Sequence, residues 1–488
     1  MKKSLIYICV SILLVVAIVT PLRYMSMVFM GDESPRQVDS LYAQPRNSID
    51  VLCVGSSRIY CNIAPDVMWR EYGIAAYNLA TAAQPLNLTY YALQEALKTQ
   101  TPKVVVVDVS MAIDDLQPND QLETMGLQNG MKYSANQISA LTDHADKEHL
   151  PEYLLRFPCF HNNYSMLTKR DFTKLEYNEF PGAGAAGFKG YINKSYDYHP
   201  EEIPSEITLM DDPIALARYN ELGKINDLCV KHNIPLLLVL TPSAKYTEYE
   251  AAVRFALDNN LNYVNYMYLL GELDINGEGD FVDEVHCNYY GAAKVSRHLA
   301  QYVMDNYGIT SHAGDSAYAS WDEYANYLAL TENNYYLAKE TGLGNYFNYI
   351  PNKDYMIITS LKGDYDVRDV GQLSVLSKLG CNEVAYRMGG TWVMDGTNLE
   401  YYYSFGSGEC DWHEDMYGSS FYITNKGSDD ENDIDIYIDG EKFYIEDEDG
   451  ERIEDGIQII VYDKLSQKIV DAVIFDSVHD YRIVRKNY

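Results

Sequence analysis

Three side chains of this 488-residue chain have the types and spacing that covalent acyl chemistry needs. Gly55-Ser56-Ser57-Arg58 follows the apolar run Ile49–Val54. A small residue at that point lets the chain turn sharply and present a hydroxyl. A serine hydroxyl is a weak nucleophile until a base takes its proton. Asp283-Glu284-Val285-His286 offers that base. Three residues apart, Asp283 and His286 can face each other across one helical turn. The carboxylate would then hold the imidazole tautomer and stabilise its protonated form, and the imidazole would activate Ser57. A serine pair after a strand is otherwise a turn cap, and a lone histidine is otherwise structural, so the pairing of the two segments carries the reading. Cys287, beside the histidine, reads as a core residue and not as a thiol nucleophile.

Elements able to bring residues 57 and 286 together are legible in the same sequence. Ile49–Val54, Lys103–Val109 and Ile234–Leu240 are continuous apolar runs, with Ala75–Leu79 and Asn262–Tyr266 as weaker ones. Continuous rather than alternating apolar character marks parallel strands covered on both faces. Between them lie the helical stretches Asn87–Thr99, Ile214–His232, Glu248–Asp258 and Tyr289–Tyr307, the last with Asn288 as N-cap and Gly308 just past its end. Strand–helix alternation predicts a doubly wound α/β sheet, whose loops converge beyond the carboxyl ends of the strands, where Ser57 falls. Residues 111–205 interrupt the alternation as a polar, Tyr-, Asn- and Pro-containing insertion with a Gly-Ala-Gly-Ala-Ala-Gly run at 182–187. An insertion of this length reads as a lid or substrate wall. His161 and the pair Arg170-Asp171 are its candidate substrate contacts, and Arg58 can hold an anionic group or form a structural ion pair.

The chain is too long for one ordinary core. Residues 49–310 read as the α/β domain and 315–488 as a second, mostly β domain. Helical Trp321–Thr341 opens the second region, followed by β runs at Asp354–Thr359, Phe421–Thr424, Asp433–Ile438, Lys442–Ile445, Ile457–Tyr462 and Val470–Phe475. Asp439-Gly440, Asp449-Gly450 and Asp455-Gly456 mark turns between several of them. Residues 311–488 hold 34 acidic and 14 basic side chains, a balance of −20 within a total of −33. Charge of this sign, with no Lys/Arg cluster, excludes nucleic acid as a partner. The acidic run Asp429–Asp439 lacks the Gly-spaced loop of a calcium site and reads as a solvated edge. Eight cysteines without a C-x-x-C pair do not form a zinc motif or a disulfide framework, although one bridge is open. No cofactor is expected. The 45 tyrosines suit carbohydrate contacts and half-buried positions equally well.

At the amino end, Lys2 and Lys3 precede an apolar stretch from Leu5 to Leu22 that is closed by Arg23. Its 18 residues are enough to span most of a hydrocarbon core. Residues 1–23 therefore read as a cytoplasmic tip and transmembrane anchor, 24–48 as a polar linker, and everything beyond as extracytoplasmic. No A-x-A-like cleavage site follows the run, which favours an uncleaved anchor over a signal peptide.

Ile49–Pro65 (IDVLCVGSSRIYCNIAP) resembles the first block of the SGNH/GDSL hydrolases, in which Gly-Asp-Ser or Gly-Ser-Ser follows the first strand. Tyr77–Pro85 (YNLATAAQP) is similar to their second block. Phe281–Leu299 (FVDEVHCNYYGAAKVSRHL) resembles the last, where Asp-x-x-His precedes an Asn-x-x-Gly-Ala helix start. The likeness covers roughly residues 45–310. It implies a three-layer, flavodoxin-like domain with Ser57 as nucleophile, Ser56 in place of the usual Asp, His286 as base and Asp283 as acid. An oxyanion hole would come from the Ser57 N–H and a backbone N–H of the second block. Two departures stand out. The second block's Gly is replaced by Ala80 or Ala82, and Asp108-Val109-Ser110 stands where the family has Gly-x-Asn-Asp, so the usual Asn donor is missing. Gln84 or Asn78 is left to supply an amide.

An anchored domain of this type resembles the extracytoplasmic subset that works beside membrane-bound O-acyltransferases, and the D-alanyl transfer protein of teichoic-acid modification. The implied function is acyl-ester chemistry, acetyl before D-alanyl, on an envelope or extracellular polysaccharide. The alternative is a catalytically decayed scaffold that binds carbohydrate or docks an acyltransferase. Asp354–Ser360, the Leu373-x-x-Leu-x-x-Leu-Gly stretch and Ile457–Phe475 are similar to the interleukin-like (ILEI/PANDER-type) domain, a compact β fold implicated in carbohydrate contact.

Overall fold

The computed structural model describes residues 2–30, 37–112, 130–145, 147–155, 161–167, 189–193, 195–204, 207, 209–210, 215–244, 248–350, 352–362, 376–377, 379–380, 390–404, 411–425, 434–447, 449–453, 455–479 and 482–486. The chain forms two compact units, Met1–Ala325 and Asn326–Tyr488. Their boundary lies inside the helix Ala319–Lys339, later than the 310–315 expected from composition.

The first unit begins with helix α1 (Lys2–Met30), which continues through Pro21 and past the expected end of the anchor at residue 23. Its apolar residues Val10, Leu13, Leu14, Val16 and Ile18 are exposed, whereas Ser26 and Val28 are buried. Among the described residues no helix is long and apolar enough to cross a membrane. The stretch read as a linker contains helix α2 (Gln37–Ala43), whose Val38 and Leu41 enter the main core.

All five apolar runs become strands of one parallel sheet: β1 (Val51–Gly55), β2 (Ala76–Ala80), β3 (Val104–Asp108), β4 (Leu236–Leu240) and β5 (Asn262–Asn265). The spatial order is 2-1-3-4-5, the flavodoxin-like order of doubly wound folds. The first four strands are buried along their whole length, which is why β1, β3 and β4 read as continuous apolar runs. Leu52, Val54, Val105, Val107, Leu238 and Leu240 pack on one face against α2, α5 (Leu86–Ala96) and the helix Ala215–Lys231. Residues of opposite parity, among them Cys53, Val106 and Val239, are equally buried on the other face. There the helix Tyr289–Tyr307 packs against α3 (Ser57–Asn62) and α4 (Pro65–Tyr72). As expected, Asn288 caps that helix by accepting from the Gly291 N–H at 3.0 Å, and Gly308 closes it at φ 64°.

Described parts of the insertion brace this domain. Helix Ala135–His144 packs on α5, with the Asn136 amide donating to the Tyr91 carbonyl at 3.0 Å. Lys189 accepts from the Asn78 N–H at 2.8 Å, so the returning chain covers the open edge of β2. The 182–187 run and Arg170-Asp171 lie outside the described residues.

The second unit is an antiparallel β structure with flanking helix. Six strands lie in the order Asn398–Ser404, Gly390–Asp395, Tyr355–Lys362, Gly456–Asp463, Lys468–Asp476 and Arg482–Arg485. Four more, Trp412–Met416, Ser419–Asn425, Ile434–Ile438 and Glu441–Phe443, form a second sheet. One core joins the two sheets through Met356, Ile358, Val393, Phe421, Ile423 and Ile436. Another covers the outer face of the larger sheet with Tyr346 and Phe347 of the helix Leu343–Tyr349. Asp439 and Gly440 both take left-handed backbone, as the turn between strands 434–438 and 441–443 requires.

A polar tie secures the carboxyl ends of the central strands. Asp108, the fully buried last residue of β3, accepts from the Thr241 N–H at 3.1 Å and the Thr241 hydroxyl at 2.9 Å through one oxygen. Its other oxygen takes the Ser110 N–H at 2.9 Å and the Ser110 hydroxyl. Asp108→Ala would strand these donors in the interior, and we expect a loss of about 2–3 kcal/mol in urea unfolding. A loss below about 0.5 kcal/mol, the ordinary surface range, would mean that this carboxylate does not tie the loops.

Candidate active site

Ser57 opens α3 directly beyond the carboxyl end of β1. The turn is tight. Gly55 has φ 155°, and a Cβ there would stand 2.9 Å from Ile59 Cγ1, closer than carbon atoms pack, so glycine is needed for α3 to start where it does. The Asp-x-x-His segment is a hairpin and not the helical turn expected. Phe281–Asp283 and His286–Cys287 pair antiparallel, with Asp283 opposite His286. Four residues close a hairpin as readily as a helical turn, and here the ladder puts both side chains on the same side. The hairpin is fastened through Glu284, whose carbonyl accepts from the Ala244 N–H at 2.7 Å and the Ser243 hydroxyl at 3.1 Å.

The structure brings the three expected side chains together. His286 Nε2 lies 2.8 Å from Ser57 Oγ, and His286 Nδ1 lies 2.8 and 2.9 Å from the two carboxylate oxygens of Asp283. Asp283 Oδ1 also accepts from the backbone N–H groups of Val285 at 3.0 Å and His286 at 2.9 Å. Partial burial raises the Asp283 pKa, but the His286 hydrogen bond and these amides outweigh it and hold the carboxyl below its ordinary range. The carboxylate therefore stays ionised beside the imidazole. Tyr60, three residues along α3 and on the same side, has Ser57 as a polar neighbour. Burial, with the neighbouring Cys61 and Asp283, keeps its hydroxyl protonated far above the ordinary phenol range. Tyr60 escaped the sequence reading because α3 was not anticipated; a serine and tyrosine three apart become neighbours only once the segment is helical.

Other expected site residues are placed elsewhere. Arg58 is buried and donates to the carbonyls of Thr241 and, at 3.4 Å, Pro242, so its charge holds a loop. Asn78 spends its amide donors on the carbonyls of Ile63 at 2.8 Å and Ile59 at 3.4 Å. Gln84 Nε2 donates to Thr89 at 3.0 Å while its Oε1 accepts from Thr81 at 2.9 Å. Neither amide is directed to a substrate. Burial explains all three, since a polar side chain taken out of water must find its partners in the interior. Ala80 ends β2 beside Gly55. In the turn that follows, the residue with left-handed backbone is Ala83, at φ 49°, and not Ala80 or Ala82. His161 begins the turn His161–Met166, and its side chain lies outside the described residues. Cys287 is buried, as expected, and burial pushes its thiol well above the ordinary range.

No family model and no curated protein matches this sequence. Two solved structures are similar over their nearly full length. One is a "putative acylhydrolase" from Bacteroides fragilis NCTC 9343, at 10% identity and TM-score 0.28, covering 56% of this chain and 97% of that one. The other is a GDSL-like lipase from Bacteroides thetaiotaomicron VPI-5482, at 11% identity and TM-score 0.27, covering 57% and 98%. Likeness of this degree decides neither fold nor activity; the fold rests on the strand order described above.

Because the folded-state pKa of Asp283 is depressed, its contribution to stability is complete above the unfolded carboxylate range, near 3.8, and is lost as pH falls through the lowered folded value. The difference in thermal midpoint between the native chain and Asp283→Asn should therefore be largest above about pH 5 and shrink below about pH 3. A difference independent of pH would contradict an ionised, hydrogen-bonded Asp283.

Proposed function

We propose that Ser57, His286 and Asp283 act as a nucleophilic triad in an SGNH-type esterase or acyltransferase. The observation that supports it most directly is the 2.8 Å contact between His286 Nε2 and Ser57 Oγ, with Asp283 on the opposite ring nitrogen. In the first half-reaction the Ser57 oxygen bonds to the acyl carbon while its proton passes to His286 Nε2. The ester C–O bond breaks, and His286 returns the proton to the departing alkoxide. In the second, an acceptor hydroxyl or water gives its proton to His286 and attacks the acyl carbon, and Ser57 leaves with the proton restored. Asp283 stays ionised and stabilises the imidazolium in both steps. The Ser57 N–H stands at the first position of α3, where no carbonyl lies one turn earlier to accept it. It would supply one oxyanion donor, and a backbone N–H of the Ala80–Ala83 turn the second.

The substrate class rests on the expected location. If α1 is a membrane anchor with Lys2 and Lys3 in the cytoplasm, the site faces envelope or extracellular polysaccharide, and an acetyl group on a sugar hydroxyl is the acyl ester of choice. A membrane-bound O-acyltransferase would be the natural acyl source, and the second unit a glycan-contact module. A decayed scaffold is the second reading, favoured by the amides of Asn78 and Gln84 being consumed in structural bonds.

A fluorophosphonate probe separates the two. The native chain should form a stable adduct on Ser57, and Ser57→Ala should lose both the adduct and about 10³-fold or more of p-nitrophenyl acetate hydrolysis. Absence of labelling in the native chain, or activity unaffected by Ser57→Ala, would sink the triad reading. Removing residues 2–23 should release the protein from the membrane fraction of expressing cells, and retention there without them would end the anchor reading.

A further inference from the structure

Asn62 is the last residue of the helix that Ser57 begins, and it is fully buried. Its side-chain amide reaches both chain neighbours of His286. Asn62 Oδ1 accepts from the Cys287 N–H at 2.8 Å, and Asn62 Nδ2 donates to the Val285 carbonyl at 3.2 Å. The same Nδ2 faces Thr241 Oγ1 at 3.2 Å and the Pro242 carbonyl at 3.5 Å. One planar group thus grips the backbone on either side of the histidine from the helix that carries the serine. Only an amide combines an acceptor and a donor in that geometry. A carboxylate of the same shape would meet three oxygens with no hydrogen to offer, and a leucine would leave the Cys287 N–H and the Val285 carbonyl without this partner.

The Asp283 contacts fix how the imidazole ring is turned, because they hold Nδ1. They do not fix how far the hairpin stands from α3. We infer that Asn62 is the positioning residue that sets the distance between His286 Nε2 and Ser57 Oγ, an inference that rests on the triad reading. Displacement of a catalytic group by about 1 Å can cost on the order of 10²-fold in rate. The loss should fall on kcat and leave KM in place, because Asn62 is buried behind the site and does not meet substrate.

The test uses the full chain with Asn62→Leu and the isosteric Asn62→Asp, which keeps an acceptor for Cys287 but has no donor for Val285. We expect about 10²-fold slower fluorophosphonate labelling of Ser57 in Asn62→Leu, a parallel fall in kcat with KM unchanged, and faster hydrogen exchange at the Cys287 amide. Asn62→Asp should keep the Cys287 amide protected yet still label more slowly. Folded variants that label at the native rate would overturn the positioning role while leaving the triad intact. If Asn62→Leu fails to fold, native-rate labelling of Asn62→Asp overturns it in the same way. A native chain that is not labelled at all removes the triad and this role together, and is distinguished by that first control.

Discussion

Thr241 is the point at which three separate parts of the sheet are tied. It follows β4, its N–H and hydroxyl go to Asp108 at the end of β3, and its carbonyl takes the Arg58 guanidinium from α3. Its hydroxyl oxygen also faces the Asn62 amide. The strands beneath are apolar on both faces, and apolar packing is non-directional: it sets the spacing of layers and leaves the loops above them undetermined. Directional bonds in a low-dielectric interior supply what packing does not. The same loop continues to Ser243 and Ala244, which hold the Glu284 carbonyl and so the Asp-His hairpin. Asp108 and Arg58, one on each side of a single threonine, thus connect β3 and the helix that carries the serine to the loop that holds the histidine hairpin.

This division between apolar layers and polar ties also decides what could be read from the sequence. The strands β1, β3 and β4 were legible because burial on two faces leaves a short continuous apolar run, as in Val104–Val107. The order of those strands came only with the family resemblance, since any run of Val, Ile and Leu pairs with any other equally well. The helix Tyr289–Tyr307 was legible at both ends from Asn288 and Gly308. Helix α2 was not, because seven residues with two aliphatic contributions to the core, Val38 and Leu41, are too short a stretch to show a helical period. In the second unit six strands, several flanked by Asp-Gly turns, were legible, whereas Gly390–Asp395 and Asn398–Ser404, with Asp395-Gly396 between them, and Arg482–Arg485 were not. Trp412–Met416 was missed because its central residues, His413 to Asp415, are exposed and charged or polar.

At the site, the residues that stood out in the sequence and that the structure brings together are the serine at a strand end and the Asp-x-x-His segment, each an unusual type at an unusual place. The misassigned ones, Arg58, Asn78 and Gln84, have types that serve equally as catalytic donors or as internal struts. A side chain's type states what it can bond; only its burial states which partner is within reach. Arg58 illustrates the point, since it adjoins Ser57 in sequence and yet extends into the interior to carbonyls 183 and 184 residues away.

With those amides committed to the scaffold, an oxyanion formed on Ser57 would be left with backbone donors. Side-chain donors of this kind are worth on the order of 10²–10³ in rate, and their loss slows attack by any acceptor, water included. Discrimination between water and a sugar hydroxyl must then come from binding of the acceptor, because only a bound acceptor brings interactions that strengthen in the transition state. On the triad reading, a base 2.8 Å from its serine and a reduced oxyanion hole act on both routes alike, and the choice between acyl transfer and hydrolysis falls to whichever acceptor the site binds.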